Sequence, residues 1–312
     1  APPRRGAPSH RPRALRCTRH PPSVHTMSLA TPFPLTPSHK AAFERDGFLR
    51  LPSFFAPADL ATARAAVLPA LASTPPPPPL EADASYAAAF TQVMNLWAGS
   101  PAVAAFAFCP RLAGTAAGLL GVPAVRVYHD QALVKPPGAG PTAWHADGYY
   151  WPLASPGGGG GPGARPSTVR AVTAWIPLDP DGCPPERGAL EFAAGSHDPP
   201  LAAALAQGIG AGSEAAIGAE VAARGCGLVG GGFGAGEISF HAAWTAHRAP
   251  GNASPAPRTV FTVIFVDADA VAVPPQHANH EADFGRWLPG VAPGSGLGGC
   301  AKTPVVWPAS RE

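Results

Sequence analysis

Val125-Arg-Val-Tyr-His-Asp-Gln-Ala-Leu-Val-Lys135 is a run rich in β-branched and aromatic residues, and Trp144-His145-Ala146-Asp147 follows closely behind it. This stretch is where the chain changes character. Upstream, the punctuation is helical. Thr36-Pro37 supplies an N-cap and a proline at the first helical position, predicting a helix to Asp46 that Gly47 stops. Phe48 to Leu51 reads as a short strand. Pro57 to Leu68 reads as a helix with Leu60, Ala63, Val67 and Leu68 near one face, ended or kinked by Pro69. Ser100-Pro101 opens another helix, and Arg111 to Leu120 continues the helical region to Gly121. Downstream, residues 125–135, 167–178, 237–243 and 258–266 have strand length and composition. Turn-forming stretches separate them at Gly157–Gly163, Asp179–Gly188 and Gly230–Gly236. Helices followed by many strands predict an α+β fold, mainly β, with one large β-structure.

The composition sets bounds on this reading. Proline (42) and glycine (36) make up a quarter of the 312 residues, near the level of low-complexity chains. Yet 46% of the chain is hydrophobic and only 13% charged, the reverse of a disordered sequence. No uncharged apolar run of about 18 residues proposes a membrane span. The cysteines at 17, 109, 183, 226 and 300 are scattered and odd in number, which fits reduced thiols in an intracellular protein. The first 26 residues hold six Arg and no acid, and Met27 follows. Residues 1–34 are therefore expected to be a disordered or transit-like segment, or a leader upstream of a true start at Met27. Residues 35–312 are expected to form one domain. Without its basic leader the body carries more acid than base, which argues against a nucleic-acid partner. No protein partner is evident, so the expected partner is a small molecule.

His145 and Asp147 stand two apart, and on a strand they share a face and can grip one ion. An imidazole and a carboxylate suit Fe(II), Mn(II) or Zn(II). Alone the pair is weak, because a His beside an Asp is common without a metal. About 100 residues later comes His241-Ala-Ala-Trp-Thr-Ala-His247, and then Arg258 at the head of the next strand. A distant His would complete a 2-His-1-carboxylate triad with three open coordination positions. Arg258 could hold a carboxylate bidentately. Together these are the groups that a 2-oxoglutarate-dependent oxygenase requires.

With several further motifs in order, the sequence resembles the phytanoyl-CoA dioxygenase family of Fe(II)/2-oxoglutarate oxygenases from about Phe43 to Pro308. The motifs are Phe43-Glu-Arg-Asp-Gly47, Asp130-Gln131 with Lys135-Pro-Pro, Ala174-Trp175-Ile-Pro-Leu-Asp179, Gly188-Ala-Leu and Gly195-Ser196-His197. His247…Asn252…Arg258 and Trp287-Leu-Pro-Gly290 complete the set. The resemblance implies a double-stranded β-helix, a jelly-roll or cupin-like barrel with the N-terminal helices packed outside it. It implies Fe(II) on His145, Asp147 and His247, with 2-oxoglutarate and O₂ as cosubstrates and ascorbate as a support. Arg258 matches the residue that pairs with 2-oxoglutarate, and Gln131, Trp175 and Gln92 match further cosubstrate contacts. His241 matches an earlier, non-ligating His of the same strand; only His247 stands eleven residues before Arg258. The implied reaction hydroxylates a small or lipid-like substrate and releases succinate and CO₂. Two other readings are a cupin-type metal barrel with isomerase or hydrolase chemistry, which would not need Arg258, and a non-catalytic relative.

Two positions bear on the chemistry. Ala249 stands where the family commonly has Ser, which removes a hydroxyl contact to the cosubstrate. Asp147 stands where related halogenases have a small residue, which disfavours halogenation. Gly195-Ser196-His197 is read as a turn, Gly230–Gly236 as a loop rather than a phosphate cradle, and Asn252-Ala-Ser254 as an unused glycosylation sequon. Trp144, Tyr149 and Trp151 are expected to help keep the site dry, and Tyr149, Tyr150 and Trp151 are either core residues or substrate wall. The expected lid, residues 198–226, offers only Arg224 against Asp198, Glu214 and Glu220, and the Gly-rich loop adds only Arg165. A substrate smaller or less anionic than an acyl-CoA is therefore expected. The expected location is cytoplasmic, or a plastid or mitochondrion if residues 1–26 are a transit segment, with the peroxisome resting on family analogy.

Overall fold

Thr36 and Gly47 bracket helix α1 (Pro37–Asp46) as the sequence predicts. The Thr36 hydroxyl accepts from the His39 amide at 3.2 Å, and Gly47 takes the left-handed conformation at φ 81°. A Cβ at Gly47 would also meet His197 and Thr245 at under 2.7 Å, so only glycine fits the step into strand β1 (Phe48–Leu51). The computed structural model describes residues 29–75, 90–156 and 169–308. The expectations for residues 1–28 with Met27, for the proline run after Pro75, and for the Gly157–Gly163 loop with Arg165 lie outside the described residues. Ahead of the expected domain start at residue 35, Leu29 and Phe33 pack on the core, and Phe33 stacks on Phe54 with ring centroids 5.3 Å apart.

Helix α2 (Pro57–Ser73) corrects a second expectation by running through Pro69. Its buried face (Leu60, Ala63, Ala66, Val67) lies ahead of the proline, which is itself exposed. The helix thus loses one backbone hydrogen bond beyond its packed part, and in its last turn the Ser73 and Thr74 hydroxyls donate to the Pro69 and Ala70 carbonyls. Strand β2 (Thr91–Met94) and helices α3 (Pro101–Ala107) and α4 (Pro110–Leu120) follow. The stretch Pro101–Leu120 is long and apolar enough to cross a membrane by length and composition. Here it is two helices meeting at Phe108–Cys109, lying mostly in the core and carrying a buried Arg111 that donates to the Phe54 carbonyl.

The remaining elements are β3 (Val125–Lys135), β4 (Thr142–His145), β5 (Leu153–Ala154), β6 (Ala171–Pro177), β7 (Glu191–Ala193), α5 (Ala202–Ala206), α6 (Ala211–Arg224), β8 (Leu228–Val229), β9 (Ile238–Ala242), β10 (His247–Ala249), β11 (Arg258–Asp267), β12 (Val271–Ala272), α7 (Ala278–Trp287) and β13 (Val305–Trp307). The larger sheet runs β1-β9-β6-β11-β3-β13, with β2 also on β3. The smaller runs β4-β10-β7-β8, and β12 pairs with β5. All of these pairings are antiparallel. The two main sheets make the jelly-roll barrel.

Period-two alternation decides what the barrel encloses. On β11, Phe261, Val263 and Phe265 join the cluster shared with helices α2 to α4, while Arg258, Thr262 and Ile264 face the interior cavity. On β6, Val172, Ala174 and Ile176 face the helices, and Thr173 and Trp175 face inward. Strand β3 breaks the pattern. Ile264 pairs with His129 and Phe265 with Val127, so Tyr128 is an extra residue in a β-bulge. The bulge turns both Tyr128 and His129 toward the interior and resets the phase, so that Gln131 faces inward as well. The four cysteines among the described residues are free.

Candidate metal centre

His145 and His247 are cross-strand partners on β4 and β10, which places their rings on one face with centroids 4.1 Å apart. Asp147 follows His145 on the first turn of a short 3₁₀ segment, Asp147–Tyr150. Gly148 lets that segment lie against Trp244, since a Cβ there would come within 2.7 Å of the indole. The Nε2 atoms of His145 and His247 stand 3.8 and 3.7 Å from Asp147 Oδ1, and one ligand atom from each of the three residues lies within 4.8 Å of the others.

Hydrogen bonds aim each of the three groups. The Nδ1 atoms of His145 and His247 lie 2.9 and 3.0 Å from the carbonyls of Ala143 and Thr245. As Nδ1–H donors, both rings leave their Nε2 lone pairs facing the centre. Asp147 Oδ2 accepts from the Thr173 hydroxyl at 2.7 Å and faces His241 Nε2 at 3.2 Å, which leaves Oδ1 toward the two ligand histidines. His241 thus orients the carboxylate rather than joining the triad. Burial lowers the pKa of both His145 and His247, so both are neutral imidazoles at neutral pH. Burial opposes ionisation of Asp147, but its setting against His247, the hydrogen bond with His241 and the neighbouring His145 hold its carboxyl well below the usual range. Two neutral nitrogens and one carboxylate form a donor set that fits a divalent borderline ion.

The other site residues predicted from sequence, Arg258, Gln131, Trp175 and Gln92, line the same cavity, which has a volume of about 640 Å³. Arg258 is 2% exposed. Its guanidinium lies over the Trp175 ring at 5.8 Å and donates to the Gly188 carbonyl, while its Nε has no partner. Among the described residues no carboxylate pairs with it. Burial pulls its pKa down to about 10, so it remains a cation that a dicarboxylate would fit. Gln92 donates to Gln131 at 2.9 Å, and Gln131 Nε2 lies 3.3 Å from His129 Nδ1, forming a polar ladder along β2 and β3.

Several residues of the quoted motifs brace the site rather than line it. The buried Lys135 donates to Gly140, Thr142 and Pro250, tying the entry to β4 to the exit from β10; burial brings its pKa down to about 7. Asn252 donates to the carbonyls of Lys135 and Ala256 and is 1% exposed, so the sequon is a buried brace for the loop leading to Arg258. Ser196 is likewise buried and bonded to backbone, as a turn residue should be. Alternation along β4 sends Trp144 away from His145, and Tyr149 stacks on His277 with centroids 4.3 Å apart. Of the aromatics expected to dry the site, Trp151 lines the cavity, as does Tyr150. The segment expected as a lid is α5 and α6 with their connection. Its Arg224 is taken by Glu220 and the Pro199 and Pro200 carbonyls, while Gly208 and Ile209 close one side of the cavity. The opposite surprise is α7, which contributes Asn279, Asp283, Arg286 and Trp287 to the lining.

The model of the family described as phytanoyl-CoA dioxygenase matches residues 43–260. Among solved structures, the chain is similar to the epimerase SnoN from nogalamycin biosynthesis in complex with Fe³⁺, α-ketoglutarate and a nogalamycin, at 25% identity over 86% of this chain and 97% of that one, with a TM-score of 0.65. It is similar in fold to the non-haem α-ketoglutarate-dependent carbocyclase SnoK of the same biosynthesis, at 24% identity over 88% and 98% of the two chains and a TM-score of 0.65. The EctD structure from S. alaskensis with 2-oxoglutarate and 5-hydroxyectoine also shares the fold, at 23% identity over 80% and 83% of the chains and a TM-score of 0.56. No curated protein matches the chain.

Proposed function

The chain belongs to the phytanoyl-CoA dioxygenase family, and from that premise we propose that it is a non-haem Fe(II)- and 2-oxoglutarate-dependent oxygenase that hydroxylates a small organic substrate. The observation that carries this reading is one cavity holding both a 2-His-1-carboxylate set and a buried arginine with which no carboxylate among the described residues pairs. His145, Asp147 and His247 would hold Fe(II). When bound there, Fe(II) and 2-oxoglutarate supply O₂ activation, with one oxygen atom entering the substrate and the other the succinate formed as CO₂ leaves. Arg258 would bind the far carboxylate of 2-oxoglutarate against Trp175, with Gln131 and Gln92 lining its side. Thr173 and His241 fix the Asp147 carboxylate. Trp151, Ile264 and Trp287 present apolar surface that excludes water around the reacting carbon.

The same inventory supports a substrate smaller or less anionic than an acyl-CoA. Arg258 and Arg286 are the only cations among the described lining residues, and Arg248, like Arg224, is held in ion pairs. Turnover of a CoA thioester in preference to its free acid would overturn this. The oxygenase reading is tested by succinate formation from 2-oxoglutarate in air with Fe(II) and ascorbate, comparing wild type with His145→Ala, and by calorimetric binding of 2-oxoglutarate with inert Mn(II). Succinate or binding in wild type and neither in the variant is expected; absence of both from wild type rejects the reading. Product mass then tests hydroxylation. A gain of one oxygen is expected, whereas an unchanged mass or a loss of two hydrogens would mean epimerisation or ring closure instead.

A further inference from the structure

Helix α7 brings a second carboxyl into the cavity, at Asp283. Asp147 and Asp283 are the only acids among its described lining residues, and Asp147 is committed to the metal centre. Asp283 accepts a very short hydrogen bond from the Tyr128 hydroxyl. Tyr128 is fully buried, and burial raises its pKa well above the usual phenol range, so it remains a donor. Trp151 and Trp287 line the cavity beside this carboxyl, and with Tyr128 and His129 they form a ring cluster with centroids 5.0 to 6.4 Å apart. Resting on the oxygenase reading above, we infer that the substrate is an amine whose ammonium group docks against Asp283 within this aromatic cluster.

The chemistry of the surroundings selects an ammonium over other donors. Aromatic faces attract a cation through their quadrupoles, and a carboxylate adds a charge-assisted hydrogen bond. His129 does not oppose the approach. Burial holds its pKa down at about 3, so it is neutral at working pH. Lys302 lies over the Trp287 ring at 5.6 Å and donates to the Arg286 carbonyl, without an ion pair to Asp283. Arg286, one turn further along α7, is the other cation at this end. It lies over the Trp287 ring at 4.8 Å and makes no ion pair with Asp283 within 4 Å, so the carboxylate is not consumed by it. Its positive charge favours the ionised form of Asp283 against the burial that pushes that group up. A half-buried carboxylate without an ion-pair partner is the arrangement that an incoming ammonium completes.

Three probes of one shape test this: cyclohexylamine, cyclohexanol and cyclohexanecarboxylate, titrated calorimetrically with and without Mn(II) and 2-oxoglutarate. Wild type is expected to bind the amine at least about tenfold tighter than the alcohol, the size of one charge-assisted hydrogen bond. The carboxylate should bind no better than the alcohol. Asp283→Asn, shown to be folded by its melting curve, is expected to lose the amine preference and keep its affinity for the alcohol. Equal binding of amine and alcohol by wild type, no binding of the amine at millimolar concentration, or a preference that persists in Asp283→Asn would each overturn the inference. The wild-type comparison stands even if the variant misfolds. Failure of the oxygenase reading shows separately, as absence of 2-oxoglutarate binding with Mn(II) in wild type.

Discussion

The two ends of the cavity are built differently. The metal end stands on strands: His145 and His247 face each other across β4 and β10, and Arg258 starts β11. There each ligand is aimed by a hydrogen bond with a second group, the two histidines donating to backbone carbonyls and Asp147 accepting from Thr173, so that the inward lone pairs remain free. The other end stands on helix α7, where Asp283 is held by a bulged tyrosine and Arg286 makes no ion pair with it. The family match covers residues 43–260, which includes the metal end and stops short of α7. On the readings proposed above, the strands carry the chemistry and the helix the choice of substrate.

The contrast breaks first if the metal end tolerates loss of a ligand. Replacing His247 or Asp147 by Ala should abolish Mn(II) binding and succinate formation, a loss beyond the roughly hundredfold that removal of a supporting residue costs. Mn(II) titration and 2-oxoglutarate turnover read both effects. Arg258→Gln should come next. It should leave Mn(II) affinity in place but weaken 2-oxoglutarate about a hundredfold, since about 3 kcal/mol is typical when a buried charge loses its partner. A smaller effect is expected at His241→Phe, which removes one of the two side chains fixing Asp147 Oδ2. About a tenfold loss of Mn(II) affinity with little change in the KM for 2-oxoglutarate would mark it as a positioning residue. Equal loss of both would instead make it a ligand or a cosubstrate contact.

The sequence was legible where local rules decide the outcome. His145, the second histidine and Arg258 sit on strands whose alternation is fixed by the residues themselves, and Asp147 follows His145 on the next turn. The Thr36 cap and the Gly47 stop follow from side-chain chemistry within one turn. Pro69 failed as a stop because tertiary packing had already fixed the helix ahead of it. Trp144 failed as a cavity wall although its neighbour His145 succeeded, because adjacent residues on a strand face opposite ways. The α7 wall was illegible for a different reason. Nothing near Asp283 in the sequence announces Tyr128, 155 positions away, and a bulge of one residue is what turns that tyrosine inward. The motifs named Lys135 and Asn252 but not their work, since each acts on a backbone carbonyl more than a hundred positions away.

The smallest effect concerns stability, and it sharpens the contrast in protein without metal. Burial pushes the Asp283 carboxyl up to about 7, against an ordinary value near 4 in the unfolded chain. A raised acid binds its proton more tightly in the folded state, so between these two values the folded state holds more protons than the unfolded one. Stability must then fall as pH rises through that window and level off above it. Asp283→Asn cannot ionise and escapes that part of the loss. Asp130, pushed up to about 7 by its own burial, contributes equally to both proteins and cancels. The melting temperature of metal-free wild type should therefore drop more between pH 5 and pH 8 than that of Asp283→Asn, by a few degrees. Parallel curves would mean that Asp283 is solvated in the folded protein, and the helix end of the cavity would then be no drier than the surface.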